Sequence, residues 1–143
     1  MTYEELKAKY NGQNVRRHSR YLEDQLQKSC VSWFDLQYPE YRLLLHHSPN
    51  GGKRNPIEAA KFKQMGVRAG FPDLILLVPN KDHPFLAIEL KAGKNNQQES
   101  QKDYEREFGK IGAKYVVIRS IGEFIKVVNE YLNNVWYMED EIK

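Results

Sequence analysis

Pro72-Asp73-Leu74-Ile75-Leu76-Leu77-Val78-Pro79-Asn80-Lys81-Asp82-His83-Pro84-Phe85-Leu86-Ala87-Ile88-Glu89-Leu90-Lys91 is the stretch that decides the fold. Asp73 to Val78 is apolar after its first residue and Phe85 to Lys91 alternates, with the turn Pro79 to Pro84 between them, so the stretch reads as a β-hairpin. Residues equidistant from a turn face one another. Counting outward from about Lys81 and Asp82 sets Asp73 opposite the neighbourhood of Leu90, at the open end of the two strands. Alternation then puts Phe85, Ala87, Glu89 and Lys91 on one face and Leu86, Ile88 and Leu90 on the other. Glu89 and Lys91 thus share a face beside Asp73.

Working outward, Ser19 to about Gln37 places Leu22, Leu26, Cys30, Trp33 and Phe34 at spacings of three and four, which predicts an amphipathic helix ended by Pro39. Tyr41 to His47 reads as a strand before the turn residues Ser48-Pro49-Asn50-Gly51-Gly52. A second helix is signalled by Asn55 as cap, Pro56 at its first position, Glu58 in the capping box and Gly66 as its stop. After the hairpin come a polar-faced helix from about Gln97 to Phe108, a strand Lys114 to Arg119, and a last helix opened by Ser120 with Glu123 in capping-box position. The apolar face of that helix is Phe124, Val127, Val128 and Tyr131. The order α, β, α, β, β, α, β, α, with a crossover helix between two parallel strands, predicts a mixed four-stranded sheet flanked by helices.

The chain has 143 residues, a size suited to one domain, and no repeat or linker divides it; the expected core runs from about 19 to 134 between frayed ends. A single cysteine, Cys30, excludes an internal disulfide and zinc sites of the two-cysteine or four-cysteine kind. No apolar signal core lies in the polar stretch Met1 to Arg20, and no stretch approaches a membrane span, so a soluble cytoplasmic protein is expected. The net charge of +3 is mild, but its distribution is uneven. Basic residues cluster at Arg16, Arg17 and Arg20, at Lys53, Arg54, Lys61, Lys63 and Arg68, and at Lys91 and Lys94, while Glu139, Asp140 and Glu141 load the tail. Each cluster alone is compatible with a solvated surface.

Two carboxylates and one ammonium at a strand end suit phosphodiester hydrolysis: hard oxygen ligands hold Mg²⁺, and a cation supports the attacking water or the developing phosphate charge. The same residues also fit a plainer reading, an aspartate that opens a strand and an exposed pair on an edge strand worth under about 1 kcal/mol. Glu89 interrupts the apolar stretch Pro84 to Leu90, and charges that near to buried strands are costly unless paired or metal-bound.

Pro72-Asp73, with Glu89-Leu90-Lys91 following, resembles the PD-(D/E)XK nuclease signature. The wider stretch Tyr21 to Leu132 resembles the VRR-NUC branch of that superfamily, in particular its small stand-alone phage and bacterial members. The residues that carry this are Glu23 and Gln27, Asn50-Gly51-Gly52, Gly66-Val67-Arg68-Ala69-Gly70-Phe71-Pro72-Asp73-Leu74, Glu89-Leu90-Lys91, and Gln101 followed by Tyr104. A Pro-Asp with a distant Glu-X-Lys arises often by chance; the composite in this order is specific. One departure stands out, since the branch is named for Val-Arg-Arg and this chain reads Val67-Arg68-Ala69.

The resemblance implies a restriction-endonuclease-like α/β core. It also implies that Asp73, Glu89 and the backbone carbonyl of Leu90 bind Mg²⁺ or Mn²⁺, with Glu23 as a further ligand or water-holder. Lys91 positions or activates the attacking water, and Gln101 bonds that water, a phosphate or Lys91. Arg68, on a glycine-flanked loop, is expected to bind a DNA phosphate, with a surface ion pair as the alternative; Lys53, Arg54 and Lys94 are read as further nucleic-acid contacts. His46 and His47 form no spaced metal cluster, and Trp33 and Phe34 sit at core spacing. The expected function is a divalent-metal-dependent DNA endonuclease on branched DNA such as four-way junctions, acting as a homodimer because two symmetric cuts need two sites. The rivals are a non-catalytic nucleic-acid-binding module and a restriction or end-trimming nuclease of the same superfamily.

Overall fold

The computed structural model of the chain describes residues 1–49 and 55–136, without the side chains of Asn14 and Val15. Asn50, Gly51, Gly52, Lys53 and Arg54 lie outside the described residues, as do Tyr137, Glu139, Asp140 and Glu141, and with them the expectations placed on those positions.

Helix α1 spans Tyr3–Gln37 and begins sixteen residues before the predicted start at Ser19. The polar N-terminal half has no apolar stripe, so periodicity cannot find it. A capping box can start it all the same: Thr2 Oγ1 accepts from Glu5 N at 3.2 Å, and Thr2 N donates to Glu5 Oε2 at 2.8 Å. The residues that follow are mostly good helix formers. A 3₁₀ helix, Pro39–Leu44, takes most of the stretch expected to be strand, leaving β1 as Leu45–His47. Tyr38 and Tyr41 pack ring against ring and Arg42 pairs with Asp35 at 3.5 Å, which curls this segment back along the end of α1.

Helix α2, Pro56–Gln64, starts where predicted, with Asn55 Oδ1 accepting from Glu58 N at 2.8 Å, and Gly66 follows it at φ +103°. Strands β2, Leu74–Leu76, and β3, Leu86–Leu90, form the hairpin; helix α3 is Glu99–Lys110, strand β4 is Lys114–Ile118 and helix α4 is Ile121–Leu132. Ser120 caps α4, accepting from Glu123 N, whereas the Glu123 carboxylate bonds Arg119 N instead of closing the box on Ser120.

The described residues form a four-stranded sheet in the order β1-β2-β3-β4, antiparallel except for the parallel pair β3 and β4. This is the mixed sheet flanked by helices that the sequence predicts. On one face, Leu74, Leu76, Leu86, Ile88 and Leu90 join Cys30 and Phe34 of α1 and Phe124 and Val128 of α4 in the buried core. Trp33 packs edge-on against Phe124 at 5.8 Å, in keeping with its core spacing. Phe108 of α3 packs edge-on against Phe85 and Phe71, at 5.1 and 6.1 Å.

The hairpin register differs from the count by one residue, with a chemical consequence. The turn closes by Asn80 N donating to His83 O, centred as expected, yet the ladder pairs Leu76 with Leu86. Three residues thus separate turn from ladder on the first strand, Leu77 to Pro79, against two on the second, Pro84 and Phe85, a bulge-like irregularity between two prolines. Extending Leu74↔Ile88 by one step sets Asp73 across from Glu89 instead of Leu90. Directly opposed residues share a face, so the shift places the two carboxylates side by side.

The loop into β2 is held against α3 at Gly70, which has φ +85°. A Cβ built there would overlap the backbone of Ser100, where nothing flexible can yield. Gly70→Ala should therefore destabilise the protein by at least about 2 kcal/mol, from left-handed strain and overpacking together. Thermal melting measures it; an unchanged melting temperature would show that this junction tolerates a shift of α3.

Candidate active site

Asp73 stands at the entry to β2, and its Oδ2 accepts from Leu90 N at 2.7 Å, tying the open end of the hairpin together. Its backbone carbonyl accepts from His47 Nδ1 at 2.7 Å; a carbonyl only accepts, so that ring nitrogen carries the proton. His47, set aside as a metal ligand, is thus a backbone prop for Asp73. Glu89 and Lys91 leave the same face of β3 and its extension and are only 3% and 6% exposed. Leu90, between them, points its side chain into the core, so only its backbone is available to the site.

Glu89 Oε1 accepts from Gln101 Nε2 at 2.8 Å, and Gln101 Oε1 in turn accepts from Gln98 N at 2.8 Å. The first turn of α3 therefore clamps one oxygen of the buried carboxylate. Among the described residues no N–H or O–H is directed at the other, Glu89 Oε2; its carboxylate neighbour Asp73 can share a proton with it but, once ionised, cannot donate one. Burial first, and then the charge of Asp73, push the Glu89 carboxyl up to about 9, with Lys91 working the other way. Lys91 forms no ion pair among the described residues, which leaves its ammonium available at the cleft.

Glu23 arrives from α1, where Oε1 accepts from Ala92 N at 3.1 Å just beyond β3. Glu23, Asp73, Glu89, Lys91 and Gln101 all line one open cleft of about 720 Å³. A second cleft of about 410 Å³, lined by Gln27, Lys28 and His47, adjoins it and shares Arg20, Glu23 and Asp73. Arg68 does not line either cleft. It lies in a separate hollow of about 280 Å³ with Tyr104, reaching back to Lys63 O at 3.3 Å, and only Phe71 is common to that hollow and the main cleft. Lys94 is exposed and outside the lining, where Asn95 takes its place. Arg16 and Arg20 do line it, although as a basic cluster in the sequence they are equally compatible with a solvated surface.

Among the described residues no three His, Cys, Asp or Glu side chains converge as a closed metal cage. Mg²⁺ does not require one, being held by one or two carboxylates with waters and substrate phosphate completing its shell. A buried carboxylate oxygen without a donor, adjoining a second carboxylate, is a donor set of that kind, and Asp73 and Glu89 could hold such an ion.

The family model for the VRR-NUC domain matches residues 9–121. The chain belongs to the VRR-NUC family. A solved structure described as a VRR_NUC domain protein is 33% identical to it, with a TM-score of 0.67, covering 78% of this chain and 88% of the other. No curated protein matches the chain. As a VRR-NUC domain the chain is a nuclease-type α/β domain, for which DNA is the expected partner. Among the described residues no helix is long and apolar enough to cross a membrane.

Proposed function

We propose that this VRR-NUC domain is a divalent-metal-dependent DNA endonuclease that hydrolyses phosphodiester bonds, preferring branched DNA such as four-way junctions and working as a homodimer. One observation carries the reading: the buried Glu89 carboxylate, clamped on one oxygen by Gln101 and bare on the other, adjoins Asp73 with the Lys91 ammonium in the same open cleft. A cation there relieves a repulsion that is otherwise costly in a buried site.

Asp73 and Glu89, with the Leu90 carbonyl, would hold Mg²⁺ or Mn²⁺, and Glu23 would hold a water of its shell. When bound, such an ion polarises a phosphoryl oxygen and lowers the pKa of bound water. The chain's own groups do the rest. Lys91 orients the attacking water and offsets negative charge gathering on the phosphate oxygens. Gln101 keeps Glu89 in one rotamer. His47 and Leu90 N hold the backbone and side chain of Asp73, so the reacting groups are arranged before substrate arrives.

Selection by DNA shape fits a cleft that offers arginine and amide side chains suited to phosphates, and paired cuts across a junction fit a two-fold dimer. Purified protein incubated with linear, single-stranded, flapped and four-way DNAs should cut the four-way substrate best with Mg²⁺ or Mn²⁺. The products should carry 5′-phosphates, and chelation should stop the reaction. Binding without cleavage under every metal condition would make the domain a non-catalytic module; equal cutting of all linear ends would make it a trimming nuclease.

A further inference from the structure

The floor of the cleft is acidic, lined by Glu23, Asp73 and the buried Glu89, so DNA needs cations on the walls to approach at all. Lys91 is one, and it is buried beside the carboxylates it offsets. The others come from α1. Arg16, Ser19, Arg20 and Glu23 follow one another at helical spacing along a single face of α1, and all four line the main cleft. Glu23 anchors that face through Ala92 N, and Arg20 stands where the main cleft meets its neighbour, lining both.

What separates these arginines from an ordinary solvated helix face is direction. Arg17 is exposed on the same helix, but one residue turns the side chain by about 100°, and Arg17 lines neither cleft.

We propose that Arg16 and Arg20 are a phosphate clamp, gripping consecutive backbone phosphates of the strand that is cut and feeding the scissile phosphate to Asp73 and Glu89. This rests on the nuclease reading and adds to it the path of the strand, along α1 past Glu23. Four residues of helix rise about 6 Å, comparable to the separation of neighbouring phosphates on one strand, and a guanidinium grips a phosphate with two parallel hydrogen bonds. Such contacts are blind to base identity.

The test is DNA affinity of the full chain in chelator, across a salt series and several sequences, for Arg16→Ala, Arg20→Ala, the double variant and Arg17→Ala. Each cleft arginine should lower affinity several-fold on every sequence alike and reduce the slope of log K against log salt by about 0.9 for duplex DNA, with the double losing about twice that. Arg17→Ala should keep at least most of the wild-type slope, and melting curves should not move in any variant. An unchanged slope in the double variant, or an equal loss from Arg17→Ala, overturns the clamp while leaving the nuclease reading intact. A loss confined to some sequences overturns it in favour of base reading. Wild-type protein that neither binds nor cuts DNA removes the nuclease reading, and the clamp falls with it.

Discussion

Asp73→Asn and Glu89→Gln should each lower DNA cleavage by at least ~10³, because either change removes a hard anionic ligand while preserving shape. The two variants should differ in stability. Asp73→Asn keeps an acceptor for Leu90 N, so the hairpin end stays tied. Glu89→Gln replaces a buried carboxyl whose proton affinity is raised to about 9, from an ordinary 4.5, by burial and by Asp73. In metal-free protein the folded state keeps that proton after the unfolded state has lost it. Stability should thus fall as pH rises from about 4.5 toward 9, and the glutamine variant should lack this slope. A divalent ion must displace the same proton, so cleavage by the wild type should strengthen with pH over that window. Circular dichroism melts in chelator and a cleavage assay read both effects. Wild-type rates in either variant would remove Asp73 and Glu89 from the chemistry.

Lys91→Ala should lower turnover by at least ~10² without preventing metal binding, since the ammonium acts on water and phosphate charge instead of coordinating. Alanine also empties the buried space of the lysine stem, so Lys91→Met is the sharper variant: it keeps the packing and loses only the charge. Calorimetric titration with Mn²⁺ should show binding in both. Lys91→Arg should not restore full activity, because a planar fork does not fit where a compact ammonium is buried. Full turnover in the methionine variant would make Lys91 a structural cation that merely offsets Glu89.

Much of this arrangement was legible in the chain because strong local signals agreed with the tertiary result. Asn55 and Ser120 cap as their spacing predicts, and Leu86, Ile88 and Leu90 turn to the core while Glu89 and Lys91 turn to the cleft. What was missed has physical reasons. The hairpin count assumes equal strand arms, and the residue gained between Leu77 and Pro79 leaves no mark in composition. Tyr41 to Leu44 looks like a strand in isolation but forms a 3₁₀ turn, with Tyr41 packed on Tyr38 and Arg42 paired with Asp35 of α1. Arg68, near Asp73 in sequence, lies in a separate hollow, whereas Arg16 and Arg20 reach the cleft from a helix that starts far earlier than any apolar pattern reveals.

That helix also acts as a lever. Cys30 and Phe34 fix its C-terminal half in the core, and between Arg16 and Cys30 it contains no glycine or proline at which to bend. The distance is about 21 Å along one rigid rod. Where the arginines stand over the cleft is therefore decided by how α1 beds against the sheet, so packing in the interior and the aim of the cleft-facing side chains are one mechanical setting.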